Sequence, residues 1–301
     1  MYWLMLSAFF LCQLIVLLLD ASQMRREQLE FTDRDPLRWR SLLFMVTVTG
    51  FFLLIQLTGG WLVPKPLQIM QFVQGTLIDW TGRTGGQPVT GWMTVFLGVS
   101  LFYLAGLWDY IVHRFFGHSR QFWVTHEYHH LPNQVSTWMP GILVRPYSFI
   151  SVGLSTLGTV ITFYALLIAF RLPLFGLKPL LPILLIVVLV NTISHSCFLR
   201  RQWWVHRMMR CAFLTSPQEH LLHHSVQNHR NYGTFTTLWD RLWGTYVDPS
   251  NFDLDDLRLG LPYDRDFLGA LTLGKLQLTQ NQRHKYQVSR FCNVDEPRGT
   301  R

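Results

Sequence analysis

Charge is what this chain has least of. Only 15% of its 301 residues are Asp, Glu, Lys or Arg, against about 25% in an ordinary soluble domain. With 49% hydrophobic residues and 12 tryptophans, that shortage argues against a soluble globule and for a membrane protein. Cysteine is scarce as well. Cys12, Cys197, Cys211 and Cys292 form no C-x-x-C pair and no disulfide framework, so they read as four unpaired thiols, Cys12 among lipid. The formal net charge is +8, but no Lys/Arg tract with interleaved aromatics marks a nucleic-acid surface, and nucleic acid is not an expected partner. The arginines read instead as partners of lipid headgroups and as topology signals. Internal repeats and low-complexity tracts are missing too. The first apolar run has no basic n-region before it and no small-residue cleavage site after it, so it reads as a retained helix rather than a signal peptide.

Long apolar runs are plentiful. Residues 2–19, 41–63, 91–112, 147–170 and 174–198 are each apolar enough, and about long enough, to span a bilayer. Between the first two lies a basic linker with Arg25, Arg26, Arg34, Arg38 and Arg40, and residues 64–90 read as a Pro/Gly-containing loop. From Arg200 the chain stays out of the membrane. The expected fold is an all-α integral membrane protein with about five membrane helices and a cytoplasmic helical cap. Three regions follow: N-terminal helices and linkers over 1–90, a histidine-bearing unit over 91–248, and a cytoplasmic tail over 249–301.

Histidine is concentrated in two stretches. His126, His129 and His130 form one H-x-x-H-H, and His220, His223 and His224 form another. With 12 histidines in the chain, one such motif arises by composition alone on the order of once in fifty chains, and two far more rarely. Spacings of i, i+3 and i+4 share one helix face, so each motif aims three imidazoles at one small volume. Neutral imidazole ligates zinc, copper, iron and nickel. His113 and His118 precede the first motif. Five residues separate them by about 140° on an ideal helix, so a helix end or a distortion near Gly117 is needed to bring them together. His195 closes the last apolar run, and Asn191 lies one turn before it, suited to hold a water or a neighbour. Polar groups inside a span are functional by default. Asp109, four residues before His113, suits the role of orienting that imidazole; an interfacial charge or a partner for Arg114 is the plainer alternative.

Helix signals frame the motifs. Thr125 reads as an N-cap and Leu131-Pro132 as a stop. Ser216-Pro217-Gln218-Glu219 reads as an N-cap, an N1 proline and a capping box. Residues 200–210 read as an interfacial amphipathic segment in which His206 is structural; His229 is a weak orienting candidate and His284 a solvated one. Nine histidines suffice for two first-row ions with four or five ligands each. Structural zinc sites favour Cys, and hard cations favour carboxylates. An all-imidazole set at a membrane face therefore favours redox-active iron.

The two stretches also share one side of the membrane by parity. The first follows the third run, the second follows the fifth, and the Arg-rich linker lies on that side too. The positive-inside rule makes it cytoplasmic.

These residues resemble the fatty acid hydroxylase / sterol desaturase family of membrane di-iron oxidases. The resemblance rests on Asp109, His113-Arg114 and His118, then on both H-x-x-H-H motifs. It continues through Asn231-Tyr232-Gly233 and Trp239-Asp240 to Trp243-Gly244-Thr245, over about residues 91–248. It implies two iron ions on nine histidines, molecular oxygen as co-substrate, a lipid substrate, and electrons from a separate donor of ferredoxin or cytochrome b5 type. It implies hydroxylation or desaturation of a sterol, a fatty acyl chain or a related lipid, in the bacterial inner membrane or the endoplasmic reticulum. Some relatives carry a histidine where Asn191 stands. Two other readings stay open. His126-Glu127-Tyr128-His129-His130 contains the H-E-x-x-H spacing of a zinc hydrolase with Glu127 as base, and a non-catalytic scaffold of the same fold would keep the architecture.

Overall fold

The computed structural model describes residues 2–27, 66–82, 91–139, 145–170, 180–225, 229–261 and 266–276, with single positions between 43 and 50. The described residues are mostly helical and contain no strand, only isolated bridges between Leu214 and Thr236 and between Ser225 and Leu259. Four long helices lead: α1 (Tyr2–Glu27), α2 (Pro66–Thr81), α3 (Trp92–Ile111) and α5 (Ser148–Ala169), with the short α4 (Glu127–His130) between the last two. There follow α6 (Leu180–Ser194), α7 (Trp203–Cys211), α8 (Pro217–His224), α9 (Leu238–Leu242) and α10 (Phe267–Leu271).

Three segments are long and apolar enough to cross a membrane: Met5–Glu27, Val95–Gly117 and Ser148–Ala169. Their outer faces carry bare apolar side chains. Phe10, Leu14 and Leu18 make one exposed i, i+4, i+8 stripe on α1, and Val95 and Val99 are exposed on α3. Such stripes suit lipid and not water. The inner faces pack. Leu97 and Leu101 of α3 meet Val160, Phe163 and Leu167 of α5, with Val73 and Leu77 of α2 against them. At Gly158 an added Cβ would lie 2.3 Å from the Trp108 ring, so this glycine lets α3 and α5 close on each other. Phe102, Val190, Val205, Met209 and Phe235 join α3, α6 and α7.

Several expectations are corrected. The first span does not stop at Leu19. Its helix runs to Glu27, with Arg25 and Arg26 in the last turn, where cations complement the helix dipole. The loop expected over 64–90 contains the 16-residue helix α2, which starts on Pro66, a residue well suited to a first helical turn. The run 41–63 lies outside the described residues except for single positions, and the run 174–198 is represented by α6, whose apolar part, Leu185–Ser194, is shorter than the three segments long enough to cross a membrane. Cys12 and Cys211 are exposed and Cys197 is buried, all three free; Cys292 and His284 lie outside the described residues.

Candidate metal centre

The C-terminal ends of α1, α3 and α6 converge, and the histidines lie there. The helix of α3 does not end before His113. It continues as a π-helical turn over Val112–Gly117, in which His118 N–H donates to the His113 carbonyl at 3.0 Å. An i→i+5 turn stacks residues five apart, so the two rings come within 5.0 Å of each other. This is the distortion that the five-residue spacing requires. His195 stands one residue beyond α6.

The first motif is a single helical turn. Thr125 does not cap it: its hydroxyl donates to the Phe122 carbonyl, and His126 takes the N-cap position. The second motif starts as expected. Ser216 accepts from Glu219 N–H, and Glu219 accepts from Ser216 N–H at 2.8 Å, a closed capping box with Pro217 at the helix start. His206, buried, sets its Nδ1 2.8 Å from the Ser216 hydroxyl and so braces the cap rather than the centre.

The nine histidines fall into two sets. His113, His118, His126, His130 and His223 form the first; His129, His195, His220 and His224 form the second; within each, the candidate ligand atoms lie within 4.8 Å of one another. Each H-x-x-H-H was expected to aim its three imidazoles at one volume, and this is corrected. On a helix, i and i+4 differ by about 40°, whereas i+3 and i+4 differ by about 100°. Each motif therefore gives its i, i+4 pair to one set and its i+3 histidine to the other. His126 and His130 are joined by His223, and His220 and His224 by His129. The sets adjoin, with the His130 and His224 rings stacked at 4.5 Å.

The imidazoles face inward through Nε2. In the first set His126 Nε2 lies 2.9 Å from the Nε2 of both His113 and His130. In the second set His220 Nε2 lies 2.9 Å from His195 Nε2 and 3.1 Å from His224 Nε2. Backbone carbonyls fix several rings from behind. His113 Nδ1 donates to Tyr232 O, His195 Nδ1 to Asn191 O at 2.6 Å, and His223 Nδ1 to Arg230 O at 3.1 Å. A carbonyl only accepts, so it holds the proton on Nδ1 and leaves Nε2 with its lone pair toward the centre. His118 Nε2 and His223 Nε2 are buried with no hydrogen-bond partner among the described residues. Two nitrogens of one ion at about 2.1 Å each stand roughly 3–4 Å apart, so the donors and their spacing fit a metal in each set, and the unpartnered nitrogens add to that fit in the five-histidine set.

Burial keeps the rings neutral. Desolvation first, and repulsion among the imidazoles second, push His118, His126, His130 and His220 well below the usual 6.5. His129 and His224 shift the same way from the same leading cause. Burial brings His223 to about 3, against the opposing hydrogen bond to Arg230 O. Neutral imidazole is the ligating form.

Asp109 does not hold His113, whose Nδ1 is taken by Tyr232 O and whose Nε2 faces His126. Its carboxylate instead accepts from Thr234 N–H at 3.0 Å and the Thr234 hydroxyl at 2.8 Å, pinning the loop that presents the Tyr232 carbonyl. Asp240 pins the same loop, accepting from Tyr232 N–H and Gly233 N–H at 2.7 and 2.8 Å. A Cβ on Gly233 would lie 1.9 Å from the Thr236 carbonyl, so only glycine fits. Asn191 supplies its backbone carbonyl to His195. His229 comes within 5.9 Å of the His118 ring.

Two residues went unread in the sequence. Arg145 places Nη1 2.8 Å from His126 Nδ1; a lone arginine closing an apolar stretch before Pro146 was its only signal. Asp20, directly after the first apolar run, is the other.

Residues 98–245 match the fatty acid hydroxylase family, and all nine clustered histidines fall within them. That region belongs to the fatty acid hydroxylase family. No curated protein and no solved structure matches the chain. In fatty acid hydroxylase terms the matched region runs from within α3 to Thr245, the hydroxyl that donates to Asp240 at 2.8 Å. α1 and α2 lie outside it.

Proposed function

We propose that this chain is an oxygen-dependent di-iron lipid oxidase, a hydroxylase or desaturase acting on a C–H bond of a sterol, a fatty acyl chain or a related lipid. One observation carries the reading: two adjoining all-imidazole sets, buried but for the half-buried His118, that share the histidines of both H-x-x-H-H motifs. Family membership and the apolar helices beside the centre support it. His113, His118, His126, His130 and His223 would hold one iron, and His129, His195, His220 and His224 the other. Bound iron would supply the redox chemistry that activates oxygen against an unactivated C–H bond. The chain's own residues hold the ligands and exclude water. The carbonyls of Tyr232, Asn191 and Arg230 orient the rings, and the apolar faces of α3 and α5 lead the lipid to them.

The four-histidine set has one ligand fewer than the other, and Asn191 lies on the turn that leads to His195. Its amide would hold a water beside that set. Asn191→Ala keeps the backbone carbonyl that orients His195, so metal content should persist while turnover falls strongly; full activity would remove the amide from the reaction. Electrons would come from a separate ferredoxin- or cytochrome b5-type protein. The zinc-hydrolase reading is weaker, because a single H-E-x-x-H zinc leaves a complete second set without a role. The decisive experiment is metal analysis of anaerobically purified protein with lipid mass spectrometry under oxygen-18. Two irons per chain and an oxygen-dependent change in one lipid class are expected. One zinc per chain, with lipids unchanged, would sink the proposal.

A further inference from the structure

The end of α1 carries a carboxylate inside an apolar helix, and it is fully buried. Asp20 Oδ2 accepts from Thr137 N–H at 3.0 Å, the Thr137 hydroxyl at 2.9 Å, the Ser136 hydroxyl at 3.3 Å and Cys197 N–H at 3.2 Å. Oδ1 accepts from Phe198 N–H at 3.1 Å and from the Ser196 hydroxyl. Six donors from two loops converge on this one side chain. A carboxylate in a span is costly unless it is fully paired, and a fully paired one has a task.

The two loops identify the task. Residues 196–198 follow His195 directly, and residues 136–137 follow the first H-x-x-H-H. Neighbouring contacts tie α1 to the same parts. Trp138 Nε1 donates to the Leu17 carbonyl at 2.9 Å, and Met24 packs with Val135, Met139 and Leu221, the last of these adjacent to His220. Arg201 pairs with Glu27 one turn further along. By contrast, α3 carries His113 and its π-helical turn leads to His118, while the 230–233 loop holds His113 and His223. None of these supports involves α1.

We infer that Asp20 is a positioning residue for the four-histidine set, locking His195 and the segment after His129 into one frame. A helix outside the family-matched region is thereby part of the metal centre. The inference rests on the di-metal reading above. Asp20→Asn keeps the size but turns an amide N–H toward groups that are already donors, so the two loops should part. Asp20→Glu keeps the charge and should restore part of the function.

The test uses the full chain in detergent, loaded with iron or cobalt(II), with metal stoichiometry and the cobalt visible spectrum as readouts. Wild type should hold two ions. Asp20→Asn should hold close to one, and adding His118→Ala should lower the occupancy of that ion whereas adding His220→Ala should not. Asp20→Glu should recover the second ion in part. Ser196→Ala removes one donor and leaves the carboxylate; it should weaken retention of the second ion against a chelator about tenfold, the range expected for a group that orients a ligand, and it serves if Asp20→Asn does not fold. Two ions held undiminished by Asp20→Asn, or by Ser196→Ala where that variant stands in, would overturn the inference and leave the di-metal reading standing. Parallel loss of both ions would do the same, marking a general structural role. Fewer than two ions in wild type would overturn the di-metal reading and this inference with it.

Discussion

A histidine's partner in this protein is decided by its position within the motif. His129 and His130 are neighbours in sequence yet face different sets. His130→Ala should therefore lower occupancy of the five-histidine site, and His129→Ala that of the four-histidine site. Replacing His126, His129 and His130 together should abolish both. Cobalt spectra of the single variants would check this, and identical spectra would contradict the crossed assignment. The same burial that presents neutral imidazoles makes them sensitive to acid. Their folded-state values lie below 6.5, with His223 at about 3. Between about pH 3 and 6.5 the unfolded chain then binds more protons than the folded one, so stability rises with pH across this window and is fully present above it. Thermal melts of metal-free protein in detergent should fall steadily from pH 7 to pH 4. A flat profile would show that the rings are not desolvated.

At the level of elements, the loop 230–234 matters as much as any helix. Its Tyr232 and Arg230 carbonyls orient His113 and His223, and Asp240 and Asp109 hold it from two sides. Asp240→Asn replaces an acceptor facing two backbone N–H groups and should loosen the five-histidine site about 10- to 100-fold toward metal. Chelator competition would read this, and unchanged affinity would make the loop a bystander. Helix signals were legible here because they are local: Ser216, Pro217 and Glu219 start α8 as their side chains dictate. The π-helical turn was legible only as a need, since five-residue spacing demands a distortion without naming it. Helix α2 was missed because prolines and glycines around it suggested a loop.

On the scale of the molecule, the centre lies where the C-terminal ends of α1, α3 and α6 meet, so both histidine stretches lie on one side of the helices. Arg25 and Arg26, in the last turn of α1, lie on that side as well. Under the positive-inside rule that side is expected to be cytoplasmic. Reporter fusions within 113–146 and at the C-terminus should then report cytoplasm, and fusions within 64–90 the far side. A fusion in 113–146 reporting the far side would reverse the orientation.

The sequence alone marked out the long apolar helices and the histidines that cluster. Span length, apolar content and histidine spacing are properties of neighbouring residues, and they survive without any tertiary contact. Asp109 shows the limit: four residues before His113, it was the natural partner by spacing, yet a carbonyl from a loop more than a hundred residues later takes that place. The division of nine histidines into five and four, the carbonyls that set each ring, and the grip of Asp20 on two distant loops were decided only by the fold. Backbone carbonyls carry no mark in a sequence, because every residue has one. Which of them faces an imidazole depends on how helices from separate parts of the chain pack.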